Sequence, residues 1–469
     1  MKTYIKRHDV YLFERLVSKT FRAGDMPTTV SFAPCSDGLQ FTAFGKDAVV
    51  RMITQPNEAV DPFTLPWSAI KELAAKKHDL VELRVEGDSV AVTYNLRGVP
   101  QHKTFPSLGL TENRLPPKPE NLIVHPMSIF DALADAAKCV DPDNSRYSLG
   151  SICLRASKAQ IVSTDGRQAL IQDNFAFSWE GDVLCPVSKI FGSKELRELG
   201  DTVRIGSEDG WLLFDVGNVS VWLKPIEGKF PQLDQFTKNI DHFVWLNVDK
   251  GDADFVAQRL DNLLGKTDRE SPVYVDLNGH VAVRGHNQVQ QTATELRLTR
   301  SRYDGKSLTM PLNRRFLKNA FDFGINRIGF DPDERTPVVG YGDRKTFVIM
   351  PLEGDEPKVE ASKITVLPSN VVIALPEKSP KALPKGDRPR QHNKPVAEPV
   401  AMPSVCRSIK PNDKPKSMAA ILEEVEKLRH TLRESLDGVN GLIREIKAQR
   451  RQDKIFRDTV ASLRKLQNV

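Results

Sequence analysis

The sequence predicts an α+β fold, with helices segregated to one side of antiparallel sheets. Two observations carry this reading. A short apolar run that ends in proline and leads into a helix-like stretch recurs along the chain. Between helices, apolar and polar residues alternate and break at turn residues. The recurrent runs are 63–66 before 67–76, 122–126 before 127–138, 183–186 before 187–199 and 308–311 before 312–323. Their prolines stand at 66, 126, 186 and 311, with gaps of 60, 60 and 125 residues. The long gap holds two periods. The unit without the proline is the alternating run 243–248, followed by helical spacing over 252–264. The first unit reads 1–5 and then 8–21. Six units of about 60 residues thus cover positions 1 to about 355.

Each element has a local reason. Proline suits the first turn of a helix, where its missing N–H costs nothing, so the repeat predicts a proline opening each of these four helices. Ile70, Leu73 and Ala74 fall at i, i+3 and i+4, and Ile129, Leu133 and Ala136 at i, i+4 and i+7, which makes one apolar face per helix. Strands follow from runs such as Val81-Glu82-Leu83-Arg84-Val85, which leads to the turn Gly87-Asp88. In Val219-Ser220-Val221-Trp222-Leu223, alternate residues share a face.

Composition bounds the function. The 469 residues are 27% charged and 40% hydrophobic, ordinary for a folded protein of about three domains. No apolar run approaches the ~18 residues of a membrane span, and Met1-Lys2-Thr3-Tyr4-Ile5-Lys6-Arg7-His8 has no signal-peptide core. Cys35, Cys139, Cys153, Cys185 and Cys406 are odd in number and far apart, so a reduced cytoplasmic protein without a disulfide framework or metal site is expected. No Walker loop, G-x-S-x-G, H-E-x-x-H or acidic metal cluster is present, so neither catalytic residues nor a cofactor are assigned.

The net charge of +6 is unevenly placed. Residues 1–375 carry 46 Lys+Arg against 49 Asp+Glu, 376–417 carry 10 against 4, and 418–469 carry 11 against 8. The body is therefore slightly acidic, and any binding to nucleic acid must use a concentrated basic face. Residues 356–417 hold 11 prolines without sustained periodicity and read as a disordered basic linker, broken by one weak strand-like run at 370–375. From Met418 a heptad follows through Leu422, Val425, Arg429, Leu432, Leu436, Val439, Ile443 and Ile446, which predicts a coiled coil over 418–469. A helical hairpin is the alternative.

Two short stretches stand out. Thr164-Asp165-Gly166 sits between apolar runs as a hairpin turn, and Gly228-Lys229-Phe230-Pro231 ends a strand-rich unit. A late strand closes in Met350-Pro351-Leu352. In this order and spacing, with a six-unit body, these motifs resemble the bacterial sliding clamp family, the β subunit of DNA polymerase III. The resemblance covers about 1–355 and marks a divergent member with a C-terminal extension.

It implies a DNA clamp fold of three similar domains, each of two helix-plus-strand units, at 1–120, 121–238 and 239–355. It implies a homodimeric ring, lined by helices, that encircles double-stranded DNA. Such a ring is a non-catalytic processivity factor and tethers a DNA polymerase after a clamp loader has placed it. The DNA-facing group would be Arg22, Lys194, Arg197, Arg314 and Arg315. A pocket for partner peptides would be formed by Leu149, Thr164, Gly166, Arg167, Pro231, Phe236, Met350, Pro351 and Leu352. Gln168-Ala169 departs from the family after Thr-Asp-Gly, Arg167 stands where histidine is typical, and Phe236 is bulkier than the usual aliphatic residue. Gln232-Leu233-Asp234-Gln235-Phe236 resembles a clamp-binding peptide, but it sits in the junction motif and the resemblance reads as coincidence. The alternatives are a specialised or phage-type paralogue for repair, and a coiled-coil scaffold whose body no longer encircles DNA.

Overall fold

The structure, a computed structural model, describes residues 2–54, 61–107, 114–141, 148–238, 240–265, 271–287, 289–334 and 336–370. The heptad segment 418–469, the strand-like run beyond Asn370 and the rest of the expected linker lie outside the described residues.

Six units follow one another. The first is β1 (Lys2–Lys6), α1 (Arg7–Thr20), β2 (Thr29–Cys35), β3 (Gly38–Phe44) and β4 (Ala48–Thr54). The second is β5 (Phe63–Pro66), α2 (Trp67–Leu73), β6 (Leu80–Glu86), β7 (Ser89–Leu96) and β8 (Val99–Pro106). The third is β9 (Ile123–Pro126), α3 (Ile129–Ala137), β10 (Ser151–Arg155), β11 (Gln160–Thr164) and β12 (Gln168–Asp173). The fourth is β13 (Asp182–Pro186), a 3-10 turn (Lys189–Gly192), α4 (Lys194–Arg197), β14 (Thr202–Glu208), β15 (Trp211–Val216) and β16 (Val219–Leu223). The fifth is β17 (Val244–Asn247), α5 (Lys250–Leu260), β18 (Pro272–Leu277), β19 (Val281–Asn287), β20 (Thr292–Leu298) and a short β21 (Arg302–Asp304). The sixth is β22 (Leu308–Asn313), α6 (Arg314–Asp322), β23 (Arg327–Phe330), β24 (Val338–Gly342) and β25 (Lys345–Ile349). A further strand, β26 (Ile364–Pro368), lies within the stretch expected to be linker, after a 3-10 turn at Ala361–Lys363.

The units interlock in pairs. The opening strand of each leaves its own unit and joins the three strands of its neighbour: β5 pairs with β2 and β1 with β6, β13 with β10 and β9 with β14, β22 with β18 and β17 with β23. Four-stranded half-sheets result, and four of them join edge to edge. β4 pairs antiparallel with β16, centred on Val50↔Val221, and β12 pairs antiparallel with β25, centred on Leu170↔Phe347. The closing strand of unit 1 thus meets that of unit 4, and unit 3 meets unit 6.

The prolines have another role than the one expected. Pro66, Pro126 and Pro186 end strands, and Pro311 lies inside β22. All four of these strands lie at sheet edges, where a residue without an N–H leaves no ladder bond unmade. β17 carries no proline, and its outer side is covered by β21. β1 is an edge strand without proline, so the residue is permitted at these positions rather than required.

The fourth helix is also not continuous. It breaks between the 3-10 turn and α4, where Ser193 caps the new helix by accepting from the Leu196 N–H. Asp209 and Gly210, with φ of 46° and 72°, form a tight two-residue turn between β14 and β15, where a mirror-image turn matches the strand twist.

Helices pack as a layer on one side. α1 lies on α2, α3 on the 3-10 turn, α5 on α6, and α1 also meets α4. Beneath them, Phe13 of α1 meets Phe41 of β3 edge-on at 5.7 Å, both within one continuous core. Arg7 shows how neighbouring helices are fixed: it is buried, and its Nε donates to the Leu73 carbonyl (2.9 Å) and its Nη1 to the Asn95 carbonyl (3.2 Å). It thus satisfies the end of α2. Arg7→Met keeps the packing and removes those donors; unfolding free energy is expected to fall by about 1–3 kcal/mol, read from urea midpoints.

Candidate functional site

The junction of the second and third pairs of units holds a cleft of about 370 Å³. Its chemistry begins with the turn after β11. Thr164 is buried; its Oγ1 donates to the Gln168 carbonyl (2.7 Å) and accepts from the Gly166 N–H (3.0 Å). Asp165 Oδ1 accepts the N–H groups of Arg167 and Gln168, each at 2.9 Å. Gly166 has φ of +86°, a conformation that a side chain disfavours, with Leu149 3.7 Å from where a Cβ would stand. Each residue type of the Thr-Asp-Gly motif therefore has a separate local role.

Two further contacts join this turn to unit 6, and one within the turn supports them. The Met350 N–H donates to the Arg167 carbonyl (2.8 Å), continuing the β12–β25 ladder. The Gln168 side chain is buried, with Asn319 Nδ2 of α6 donating to its Oε1 (3.1 Å) and its Nε2 donating to Asp165 (2.9 Å). The departure at Gln168 is thus part of the junction.

The opposite wall is the 3-10 turn at Asp234–Thr237. Arg155 pairs with Asp234 at 3.3 Å, and Lys158 pairs with the same carboxylate; the Lys158 hydrogen bond holds Asp234 below the usual carboxylate range. Leu233 is buried in a small apolar cluster with Cys153, Val162, Ala169 and Val348. Gln232, Leu233, Gln235 and Phe236 form part of this wall.

Seven of the nine residues expected to form a pocket line this cleft: Leu149, Thr164, Gly166, Arg167, Pro231, Phe236 and Met350. Pro351 and Leu352 do not. Strand alternation puts Val348 and Met350 on the cleft side, and the Leu352 N–H donates instead to the Pro311 carbonyl (2.9 Å). Gln168, Ala169, Gln232, Leu233, Gln235 and Val348 line the cleft as well, outside the expected set of nine; the period of two around Met350 is the signal for Val348.

The expected basic group divides. Arg22, Lys194 and Arg315 are exposed. Arg197 is partly exposed; it pairs with Asp131 and donates to the Phe191 carbonyl (3.2 Å). Arg314 is buried, with Nη1 donating to the Leu263 carbonyl (2.7 Å) and Nη2 to that of Leu264, so it does not belong to an exposed face. It braces the chain just beyond α5 as Arg7 braces α2. One helical step of ~100° separates an inward Arg314 from an outward Arg315. Arg315 also donates to the Lys138 carbonyl beyond α3 (3.2 Å), which joins the helix layers of units 3 and 6. Further exposed cations on the layer are Lys71, Lys76, Lys77 and Lys189.

Glu195 of α4 ties this layer to α1. It pairs with Lys19 and with Arg15 (3.3 Å). Burial alone would raise its carboxyl, but the Lys19 ammonium, the Ser193 hydroxyl and a backbone N–H override this and hold it at about 2. Such a depressed carboxylate adds stability above its ordinary value and loses it as pH falls through the folded value. The stability difference between wild type and Glu195→Gln is therefore expected to be full above pH 4.5 and to vanish toward about 2, measured by denaturant unfolding across that range.

No family model matches the chain, and no curated protein matches it. Solved structures do. The DNA polymerase III subunit β from Pseudomonas aeruginosa superposes with a TM-score of 0.63 at 17% identity, over 75% of this chain and 100% of that one. The DNA polymerase sliding clamp from Bacillus subtilis gives 0.63 at 15% identity, over 76% and 100%. The β subunit from Thermotoga maritima gives 0.61 at 12%, over 76% and 100%. The interlocked six-unit body of this chain has the α+β fold of the bacterial DNA polymerase III β sliding clamps.

Proposed function

We propose that two copies of this chain close into a ring around duplex DNA, and that the ring tethers a DNA polymerase to its template. One observation carries the reading: the step from unit 1 to unit 4 and from unit 3 to unit 6 leads next from unit 5 to unit 2 of a second copy. The two half-sheets without a junction, ending in β20 and β8, supply those edges. A head-to-tail contact of this kind generates a ring when its rotation closes. Two copies then give twelve units, with the helix layer facing inward.

The exposed Arg22, Lys194 and Arg315, with the lysines beside them, support a lining that meets phosphates without reading bases. Arg197 joins them where DNA displaces Asp131. The protein has no chemistry of its own in this reading. It is a non-catalytic cytoplasmic subunit that a clamp loader places on DNA.

The cleft at the junction suits a short peptide with apolar anchors, seated between Leu149, Phe236 and Met350. Met350→Asp is expected to weaken binding of a fluorescent Gln-Leu-Asp-Gln-Phe peptide by about tenfold or more, read by anisotropy, with the melting temperature unchanged.

The ring itself is tested by topology. Protein loaded with a clamp loader onto nicked circular DNA should stay on circles at moderate salt and slide off when half the sample is linearised. Replacing Arg22, Lys194 and Arg315 by Ala should reduce the salt slope of DNA binding by about 1 per contact removed. Equal retention on circular and linear DNA would contradict the reading.

A further inference from the structure

The edge of β20 is already occupied. β26 lies along it in parallel, from Ala293↔Ile364 to Arg297↔Pro368, whereas the junctions between half-sheets are antiparallel. Both ends of this added strand are pinned. Upstream, Glu356 meets His286 Nε2 at 2.8 Å and Arg284 at 3.3 Å. Arg284 also pairs with Glu295 of β20 itself, at 2.8 Å. Downstream, the Ser369 N–H donates to the Arg297 carbonyl (2.9 Å), and Ser369 Oγ accepts from the Thr299 N–H (3.0 Å). Leu367 packs against the core below.

The three edges differ in what they offer. In a strand, alternate residues direct their backbone groups to the same side. Ser369 bonds to Arg297, so Thr365 and Leu367 also face β20, while Ile364, Val366 and Pro368 face outward. Pro368 has no N–H, which leaves β26 two outward donors. On β8, the Ser107 N–H donates to the Asp88 carbonyl, so Pro100, His102, Thr104 and Pro106 face outward, again with two donors. By the same alternation β20 turns Ala293, Glu295 and Arg297 toward β26, a run with no proline. Proline and shortness blunt an edge against pairing. β26 and β8 are blunt, and β20 is not. The unblunted edge is the one that the unit pattern assigns to β8 of a second copy, and β26 covers it.

We propose that β26 is an intramolecular competitor of ring closure: it holds the β20 edge in place of the second copy's β8, and it leaves that edge before two copies can join. This rests on the two-copy ring. It adds that the partner surface is guarded by a strand of the same chain, so that closure is an exchange of one strand for another.

Amide hydrogen exchange on the full chain at low and high concentration tests this, with two variants. Thr365→Pro removes a donor that faces β20, and Leu367→Asp removes the apolar contact while keeping every backbone donor. In wild type, the amides of Ala293, Glu295 and Arg297 should be protected at every concentration, and those of His102 and Thr104 should exchange freely. In the variants, the β20 amides should exchange faster when dilute. At high concentration both β20 and β8 should become protected, by about tenfold or more. Leu367→Asp keeps the test valid if Thr365→Pro misfolds. Concentration-dependent protection of β8 in wild type, with β26 still protected, would overturn the competitor and make β26 the closing strand, leaving the ring intact. Freed β20 edges with β8 unprotected at all concentrations would overturn the ring. Protection of β20 that persists in both variants would show that β26 does not guard it.

Discussion

A strand at the edge of a sheet presents a row of N–H and C=O groups that must find partners or be made unattractive. That constraint organises this chain. Each unit lends its opening strand to a neighbour, so each half-sheet has one end strand that is short and often closed by proline, and one that is long and free to pair. Pairing the long ends antiparallel joins β4 to β16 and β12 to β25. The remaining long edges are treated differently: β8 carries prolines at outward positions, and β20 carries β26.

The helix layer depends on the same joints. Edge pairing brings α1 beside α4 and α3 beside α6, where charged groups complete the contact: Lys19 and Arg15 on Glu195, and Arg315 on the Lys138 carbonyl. Some arginines on these helices therefore act as braces. Arg7 and Arg314 each satisfy backbone carbonyls at the end of a neighbouring element. Other cations, among them Arg22, Lys194 and Arg315, stay exposed on or beside the helices.

Much of this was legible in the sequence, because the repeat imposes one pattern six times. The unit boundaries follow from hydrophobic period, and the Thr-Asp-Gly turn follows from residue type, since Gly166 takes a positive φ and Asp165 accepts two N–H groups. What the sequence does not show is direction. Arg314 and Arg315 are adjacent, and only packing decides which is buried. Pro351 and Leu352 continue the motif, yet alternation turns Pro351 away from the side of Val348 and Met350, and a bond to the Pro311 carbonyl holds Leu352 away from the cleft. A proline at a strand's end and one at a helix's start are neighbours in sequence, so the sequence alone does not separate the two roles; here the missing N–H falls at the sheet edge. β26 is not legible in the sequence, because a five-residue strand in a proline-rich stretch has too little periodicity to separate from linker.

The central claim is that edge pairing between units three apart closes the chain into a ring. The most direct measurement is electron-microscopic density of the full chain loaded on nicked circular DNA. The account predicts a closed two-copy ring in which β8 of one copy lies antiparallel on β20 of the other, with DNA in the hole. An open arc, or a contact made through any other pair of strands, would contradict it.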